Sequence, residues 1–243
     1  MLPILIVKTG ETFAEIASAF GDFEDWIMTG FDSSGTNFKI IDARNTHFFP
    51  DPLKFSAIVI TGSHAMVTER PGWHRHLTEF VCTSREASIP ILGICFGHQL
   101  LAETFGGHVD FNISGREIGT QKVRLTSQGC RDLLLKGLPR EFDVQESHAQ
   151  EVQEMPPDAV LLATNNHTRV QAFYIEPSIW GVQFHPEFSA AIMQAYVTAL
   201  WPHLRREPLY PEQIAGKISV TSHSHNILRN FLDIIRDHMG NFC

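Results

Sequence analysis

The chain has 243 residues, and its 19 Lys and Arg residues against 27 Asp and Glu residues give a formal net charge of −8. This acidic balance argues against a general nucleic-acid binder, because such binding depends on neutralising phosphates with Lys and Arg. No apolar run approaches the length of about 18 residues that a membrane-spanning helix needs. The four cysteines show no repeated spacing. We therefore expect a cytoplasmic globular protein with free thiols, with neither nucleic acid nor a membrane as a partner.

Short apolar runs alternate with helical patterns in the first half of the chain, which is typical of an α/β fold with a mostly parallel sheet. The predicted strands cover residues 3–7, 38–42, 56–60 and 90–94. Nearly every position in them is apolar, as expected for strands that are covered on both faces. Apolar residues at helical spacing predict helices around residues 13–20, 73–81 and 97–105. Thr12 and Glu15 would form a capping box at the start of the first helix.

Between residues 120 and 185 the intervals between apolar runs are mostly too short for helical crossovers, which predicts antiparallel or mixed pairing. The predicted strands cover residues 122–126, 141–147, 159–163, 170–175 and 180–184. A helix over 187–200, an irregular stretch over 201–222 and a last amphipathic helix follow. We predict a three-layer α/β sandwich with a mostly parallel central sheet and a smaller antiparallel or mixed sheet. Residues 1–200 would form the domain, and the final helix of the 201–243 extension would pack on that same domain.

The stretch PILGICFGHQ at residues 90–99 joins an apolar strand directly to a helix through Gly93-x-Cys95-x-Gly97. This is the pattern of a nucleophile elbow with cysteine as the nucleophile. The turn brings backbones close together, which favours glycine on both sides. It would hold the thiol at the edge of the sheet and at a helix N-terminus, where the dipole favours a thiolate. A buried structural cysteine is the alternative interpretation of this pattern alone.

A cysteine nucleophile needs a base, and the stretch GVQFHPE at residues 181–187 contains a candidate. Pro186 keeps His185 extended at the end of a predicted strand. Glu187, two residues further on, can project to the same side and orient the imidazole. The chain has 13 histidines, and this strand-end geometry is what distinguishes His185 from the others.

Together, GICFGHQ at residues 93–99 and GVQFHPE at residues 181–187 resemble the signatures of the class I, or triad, glutamine amidotransferases. The resemblance covers roughly residues 1–200 and is nearest to the glutaminase domain of GMP synthase, here as a free-standing domain. It implies that Cys95 attacks the γ-carboxamide of glutamine, which gives a γ-glutamyl thioester and ammonia. It also implies that His185 is the general acid and base and that Glu187 orients it.

The same resemblance implies an oxyanion hole and a substrate pocket. The oxyanion hole would use the backbone N–H groups of Phe96 and Gly62. The substrate-binding residues that it implies are His64, Gln99, Ser147, His148, Ala149 and Gln150. Relatives commonly have a Gly-Gly-Pro-type loop where this chain has Thr61-Gly62-Ser63-His64. Gly62 is retained. The side chain of His64 is bulkier than the family pattern has at this position, which would affect how the substrate fits.

In the synthases of this family, ammonia passes to an acceptor domain or to a separate synthetase subunit. The 43 residues after residue 200 are too few for such a domain, and the chain has no G-x-x-x-x-G-K-[ST] phosphate loop. We therefore expect hydrolysis of a γ-glutamyl bond with no metal and no organic cofactor, and an acceptor on a separate subunit where there is one. The final helix would pack against its own domain or against a second copy in a homodimer.

Two alternatives to a glutaminase stay open. The first is a γ-glutamyl peptidase that uses the same triad on a γ-glutamyl amide larger than glutamine, a difference that the loop at residues 61–64 and the 201–222 stretch would encode. The second is a regulatory or binding module that keeps the fold without turnover. Retention of Cys95, His185 and Glu187 together argues against the second alternative.

Overall fold

The computed structural model describes residues 2–31, 35–207 and 209–240. Its strands are β1 (Ile4–Lys8), β2 (Phe38–Asp42), β3 (Ala57–Ile60), β4 (Ile91–Ile94), β5 (His108–Phe111), β6 (Glu117–Leu125), β7 (Glu141–His148), β8 (Gln150–Glu154), β9 (Val160–Thr164), β10 (Ala172–Ile175) and β11 (Ile179–Val182). Its α-helices are α1 (Ala14–Phe20), α2 (Phe23–Gly30), α3 (His74–Glu86), α4 (Phe96–Thr104), α5 (Ala190–Leu204), α6 (Pro211–Ala215) and α7 (Asn226–Gly240). Short 3₁₀ helices cover Ala43–Asn45, Pro52–Lys54, Val67–Glu69 and Gly129–Arg131.

Nine of the strands form one central sheet in the order β2-β1-β3-β4-β11-β10-β9-β6-β7. Neighbouring strands from β2 to β11 are parallel, and those from β11 to β7 are antiparallel. Consequently β10 and β6 run opposite to the other seven strands, so the sheet is mostly parallel in strand direction. β5 and β8 form a separate two-stranded antiparallel sheet. The predicted α/β architecture is therefore confirmed.

Alternate residues of the central strands face opposite sides of the sheet, which produces the three layers. Ile4 and Ile6 of β1 pack into a cluster that includes residues of α7, whereas Leu5 and Val7 pack into a second cluster with residues of α3 and α4. All four side chains are fully buried. Strands covered on both faces need apolar side chains on both, and this is why the apolar runs of β1, β3 and β4 lie inside the sheet. The expectation is wrong for β2, which is an edge strand on which Lys39 and Ile40 are exposed.

The first half of the chain follows the predicted elements, with a correction at the first two helices. The capping box predicted from Thr12 and Glu15 is wrong, since α1 has no side-chain cap and the Thr12 hydroxyl lies 2.7 Å from the hydroxyl of Tyr196. The capping box belongs instead to α2, a helix that was not predicted from the sequence. There the side chain of Asp22 accepts a hydrogen bond from the backbone N–H groups of the first helical turn. In return, the backbone N–H of Asp22 donates to the carboxylate of Asp25 at 2.9 Å.

The second half departs further from the sequence prediction. β5 and β8 were not predicted, because only some of their side chains are buried and neither has an apolar run. β6 begins at Glu117, five residues earlier than predicted. The stretch predicted as irregular over 201–222 contains the last turn of α5, with Pro202 inside it, and the short helix α6.

Helix α7 covers one face of the sheet. Phe231 is fully buried, and its ring centroid lies 6.5 Å from that of Phe31 and 6.1 Å from that of Trp180 on β11. The side-chain amide of Asn230 donates to the carbonyl oxygens of Leu134 and Lys136, each at 2.8 Å. None of the described helices is long and apolar enough to cross a membrane.

Candidate active site

The turn between β4 and α4 is strained at Cys95, which has φ 51° and ψ −99°. A positive φ is uncommon for a residue with a side chain, and such strain is concentrated at functional turns. A Cβ on Gly93 would lie 2.5 Å from the carbonyl oxygen of Gly97, and one on Gly97 would lie 2.6 Å from that of Ile60. Both glycines of the Gly93-x-Cys95-x-Gly97 pattern are therefore required by close backbone packing.

Cys95 lies at the carboxyl end of β4 and directly before α4, and it is only 5% exposed. Its Sγ lies 3.9 Å from the carbonyl oxygen of Ser147. The first N–H groups of a helix have no acceptor within the helix, so the N–H of Phe96 is available beside the thiol. The positive end of the helix dipole favours negative charge at this position.

His185 and Glu187 form a buried pair just beyond the end of β11. Nδ1 of His185 lies 2.7 Å from Oε1 of Glu187. The backbone N–H of His185 donates to the carbonyl oxygen of Gln145 at 2.9 Å, which fixes the chain against β7. Burial alone would lower the pKa of His185, but the charges of Glu187 and Cys95 outweigh it and raise the pKa to about 10. The ring is therefore suited to carry a positive charge at neutral pH.

Aromatic side chains enclose the imidazole of His185. The ring of Phe188 stacks on it with centroids 4.0 Å apart, and the ring of Phe23 stacks with centroids 6.2 Å apart. Both phenylalanines are almost completely buried. These rings fix the plane of the imidazole and exclude water, which strengthens its electrostatic interaction with Glu187.

Gly62 lies against the same imidazole, in the loop that follows β3. A Cβ at this position would approach Cε1 of His185 to 2.9 Å and Cε1 of Phe23 to 3.3 Å. Hydroxyl groups hold the Gly62 carbonyl oxygen, which accepts from Thr9 at 3.0 Å and from Thr61 at 2.9 Å. The peptide that the family resemblance assigns to the oxyanion hole is thus held beside the His185 ring.

A cavity of about 280 Å³ opens over Cys95. Eight of the residues predicted from the sequence line it: His64, Cys95, Phe96, Gln99, Ser147, His148, Ala149 and Gln150. The other three predicted residues, Gly62, His185 and Glu187, form the contacts described above. Residues that are far apart in the sequence therefore meet at the carboxyl edge of the sheet, where α/β folds bind their ligands.

The side chains of Gln99 and His148 both make hydrogen bonds to the backbone carbonyl oxygen of Gln150. Nε2 of Gln99 donates to the carbonyl oxygen of Gln150 at 2.7 Å and to Oε1 of Gln183 at 3.0 Å. Nδ1 of His148 lies 2.9 Å from the same Gln150 carbonyl oxygen. Both side chains thereby fix the segment at residues 147–150, whose residues line the cavity.

His64 lines the cavity together with the aromatic side chains of Phe13 and Tyr196. Its ring centroid lies 4.4 Å from that of Phe13 and 5.9 Å from that of Tyr196. Burial and the nearby charge of His185 lower the pKa of His64. His64 is therefore a neutral ring at neutral pH, and it occupies part of the cavity wall.

Several cavity residues were not predicted from the sequence: Phe13, Ala65, Met66, Arg116, Tyr196, Leu200 and His203. Tyr196 and Leu200 belong to α5, which was predicted from the sequence only as a helix over 187–200. The guanidinium of Arg116 is paired with the carboxylate of Glu207, at 3.2 Å, which joins the start of β6 to the chain beyond α5. No local signal in the sequence shows that α5 returns to the site, because this depends on tertiary packing.

Glu117 and Glu146 form a buried cluster with His148 of the 147–150 segment. One ligand-type atom from each lies within 4.8 Å of the others. Nε2 of His148 lies 3.2 Å from Oε2 of Glu117 and 3.4 Å from Oε2 of Glu146. Ion pairing accounts for this spacing, so we interpret the group as a charge cluster. Neither carboxylate was predicted from the sequence.

A model of the family described as glutamine amidotransferase class-I matches residues 19–199 of the chain. The chain belongs to this family. A glutamine-hydrolysing GMP synthase subunit from Methanopyrus kandleri is 34% identical over 170 residues, which cover 69% of this chain and 84% of that protein. The corresponding subunit from Pyrococcus abyssi is 43% identical over 103 residues, which cover 42% of this chain and 53% of that protein. The resemblance predicted from the two signatures is therefore confirmed.

The fold of this chain also has relatives among solved structures. A glutamine amidotransferase from Thermotoga maritima matches with a TM-score of 0.77 and 21% identity, covering 97% of this chain and 98% of that one. At this level of identity the likeness concerns the fold alone. It agrees with the central sheet and small antiparallel sheet described above.

Proposed function

We propose that this amidotransferase hydrolyses the γ-carboxamide of glutamine to glutamate and ammonia through a γ-glutamyl thioester on Cys95. The observation that carries the proposal is that the strained Cys95 turn, which lines the cavity, and the buried His185–Glu187 pair follow the ends of the neighbouring strands β4 and β11. A nucleophile, an acid–base group and its orienter in this arrangement are suited to acyl transfer. The similarity to a glutamine-hydrolysing GMP synthase subunit supports glutamine as the substrate.

In the first step the Cys95 thiolate attacks the γ-carbonyl carbon of glutamine, and the carbonyl oxygen becomes an oxyanion. The N–H groups of Phe96 and Gly62 donate to this oxygen in our proposal, which stabilises the charge where it develops. The imidazolium of His185 then gives its proton to the departing nitrogen. The C–N bond breaks, ammonia leaves, and the γ-glutamyl group remains on sulfur as a thioester.

In the second step water replaces ammonia. Neutral His185 takes a proton from the water molecule, whose oxygen attacks the thioester carbonyl. The C–S bond breaks, glutamate leaves, and the Cys95 thiolate beside the His185 imidazolium is restored. Glu187 orients the ring and stabilises its charge in both steps. The balance is one glutamine and one water consumed for one glutamate and one ammonia released, so the proposed steps call for no metal or organic cofactor.

We propose that the substrate lies in the cavity over Cys95, against His64 and the backbone of residues 147–150. Gln99 contributes by holding the Gln150 carbonyl oxygen. In this arrangement the γ-carbonyl faces the thiol, and the rest of the substrate faces the wall formed by Phe13 and α5.

A γ-glutamyl peptidase is the second candidate, and the composition of the cavity wall favours it. Beyond Cys95 the wall contains Phe13, Met66, Tyr196 and Leu200, which offer an apolar surface to a leaving group larger than ammonia. Apolar surface of this kind stabilises a bound side chain by roughly 25 cal/mol per Å² removed from water. The same triad would then release an amine instead of ammonia.

Steady-state hydrolysis by the pure protein separates the two candidates. The substrates are glutamine and a series of γ-glutamyl dipeptides with small, aliphatic and aromatic second residues. Ammonia release from glutamine with the highest kcat/KM supports the glutaminase. Turnover of the dipeptides alone would reject it in favour of the peptidase, and no turnover of any substrate by folded protein would reject both.

We further propose that ammonia from this chain is used by a separate acceptor subunit. The support is the similarity to proteins that are described as single subunits of GMP synthase. An acceptor would couple its own reaction to glutamine hydrolysis, so adding it should raise the kcat for glutamine. Glutamine hydrolysis that stays unchanged with every synthetase subunit from the same organism would contradict this proposal.

We also propose that residues 201–243 belong to the same domain as residues 1–200. The support is the burial of Ile227, Leu228 and Phe231 of α7 in the cluster that contains Ile4 and Ile6 of β1. Limited proteolysis tests this: the two parts should resist cleavage together, and release of an intact 1–200 fragment would contradict it.

A further inference from the structure

Two buried carboxylates pair with His148 of the pocket segment at residues 147–150. Glu117 extends from β6, and Glu146 and His148 from β7. The side chains of all three are at most 2% exposed. The catalytic steps proposed above use none of them. Burying three such groups costs free energy unless they stabilise one another.

The hydrogen bonds define the protonation of His148. A carbonyl oxygen can only accept, so Nδ1 carries the proton that is donated to the Gln150 carbonyl at 2.9 Å. Glu117 accepts from the side-chain amides of Asn165 at 2.5 Å and Gln171 at 3.1 Å, which stabilises its ionised form. Nε2 of His148 lies 3.2 Å from this carboxylate, which accepts hydrogen bonds, so the arrangement favours a second proton on Nε2 and hence an imidazolium.

Glu146 is different from Glu117. Neither of its carboxyl oxygens has a hydrogen-bond partner among the described residues, and its contact is the ion pair with His148 at 3.4 Å. Burial, followed by the charge of Glu117, raises the pKa of Glu146 to about 7. For His148, burial opposes the charge of the imidazolium, but Glu117 and Glu146 together hold its pKa well above the usual value.

We propose, resting on the proposed function, that Glu146 is a positioning residue that acts through His148. With Glu117 it keeps His148 charged, and the charged ring holds the Gln150 carbonyl so that residues 147–150 keep the conformation that binds the substrate. A charged donor makes a stronger hydrogen bond than a neutral one. Because the amide of Gln99 holds the same carbonyl oxygen at 2.7 Å, loss of the charge weakens one of two restraints. Substrate affinity falls and the chemical steps continue.

Other ionisable groups act on the cluster from the elements packed around it. Glu117 on β6 and His185 beyond β11 influence Glu146. His98 on α4 and Glu151 on β8 interact electrostatically with His148. All four side chains remain when only Glu146 is substituted, but the loss of its charge also acts back on Glu117 and His185. The kinetic comparison is therefore read together with the protonation of His148 itself, which NMR measures directly.

The substitution Glu146→Gln keeps the size of the side chain and mimics its uncharged form. At pH 6, where wild-type Glu146 is protonated, we expect the variant and the wild type to have the same KM for glutamine. At pH 8 we expect a KM about fivefold to tenfold higher for the variant with an unchanged kcat, the size expected for weakening one charge-assisted hydrogen bond. The control Glu141→Gln, at the exposed start of the same strand, should change neither constant. An equal loss at both pH values would show a packing role only, and no loss at either would also overturn the proposal.

A spectroscopic test does not depend on turnover. Nitrogen NMR of histidine-labelled protein, with His148→Gln to assign the signal, should show both ring nitrogens of His148 protonated from pH 6 to pH 8. In Glu146→Gln the pKa of the His148 ring should be lower than in the wild type by about one unit or more. A neutral His148 ring in the wild type, or stoichiometric bound metal in the purified protein, would overturn the proposal. If the proposed function fails instead, the wild type shows this charged ring but does not hydrolyse glutamine.

Discussion

Nδ1 of His185 lies 2.7 Å from Oε1 of Glu187, and only Pro186 separates the two residues in the chain. This pair is assembled locally, whereas its position beside Cys95 depends on the sheet. β4 and β11 are parallel neighbours in which Ile94 is paired with Val182. Cys95 and His185 therefore lie just beyond the ends of two adjacent strands, and the register of these strands sets the distance between the thiol and the imidazole.

The pairing of His185 with Glu187 predicts a pH effect. Glu187→Gln removes the carboxylate charge that raises the pKa of His185 to about 10, so this pKa should fall by about 1 to 3 units. Because an imidazolium persists only below its pKa, the alkaline decline of kcat/KM for glutamine should move to lower pH. We also expect kcat to fall by about 10⁴-fold at most, less than for His185→Ala, a ranking taken from serine protease triads. Glu79→Gln, on the exposed face of α3, is the control, and an unmoved alkaline limb in Glu187→Gln would contradict this role.

Gly62 predicts a steric effect on the same imidazole. The Cβ of Gly62→Ala would come within 2.9 Å of Cε1 of His185, so the ring must shift. A displacement of about 1 Å in a catalytic group costs about 10²-fold in rate, and we expect a loss of kcat of that order in a folded protein. Gly72→Ala, whose Cβ would meet nothing within 4 Å, should keep the wild-type kcat. Full activity in Gly62→Ala would show that the approach of Gly62 to His185 is not needed.

The extent to which the sequence predicts the site differs from residue to residue. Cys95 and His185 were predictable because each follows an apolar strand in a short motif that determines its local geometry. Glu146 was not, since a single acidic residue in a strand has no local pattern that reveals two buried neighbours. Tyr196 was also missed, because the α5 periodicity identifies a packed face without showing that this face reaches the cavity.

The fold shows the same difference between local and tertiary information. β1 and β4 were predicted because strands buried on both faces have continuous apolar runs. β5 and β8 form a small sheet with exposed side chains such as Phe111, which is 55% exposed. The alternation of apolar and polar residues in these two strands is too weak to be recognised in the sequence. The predicted cap at Thr12 failed because the Thr12 hydroxyl is bonded to Tyr196, which is 184 residues away.

His64 predicts a change in substrate preference. His64→Ala removes the ring that packs on Phe13 with centroids 4.4 Å apart and enlarges the cavity over Cys95. We expect kcat/KM for γ-glutamyl dipeptides to rise relative to glutamine by about tenfold, which corresponds to roughly 1.4 kcal/mol. His47→Ala, outside the residues that line the cavity, is the matched control. A fall in the relative rate for the larger substrates would contradict a narrowing role for His64.

Helix α7 predicts a stability effect that is separate from catalysis. Phe231 is fully buried against Phe31 and Trp180, and truncation of a buried Phe to Ala typically costs about 3 to 5 kcal/mol. Phe231→Ala should lower the free energy of unfolding in urea by this amount. Val220→Ala, which is 76% exposed in the same C-terminal segment, should leave it unchanged within about 0.5 kcal/mol. Equal stability of both variants would contradict the packing of α7 on the domain.

The central claim is that the Cys95 thiolate is the nucleophile that cleaves the γ-carboxamide of glutamine. The most direct test is the rate of glutamate and ammonia release by Cys95→Ser, with Cys82→Ser as the matched control. A hydroxyl keeps the size of the thiol but forms an anion far less readily near neutral pH. We predict that Cys95→Ser loses at least about 10⁴-fold in kcat, while Cys82→Ser, at a half-buried position on α3, keeps the wild-type rate. Undiminished glutamine hydrolysis in Cys95→Ser, or its loss in Cys82→Ser alone, would contradict the account.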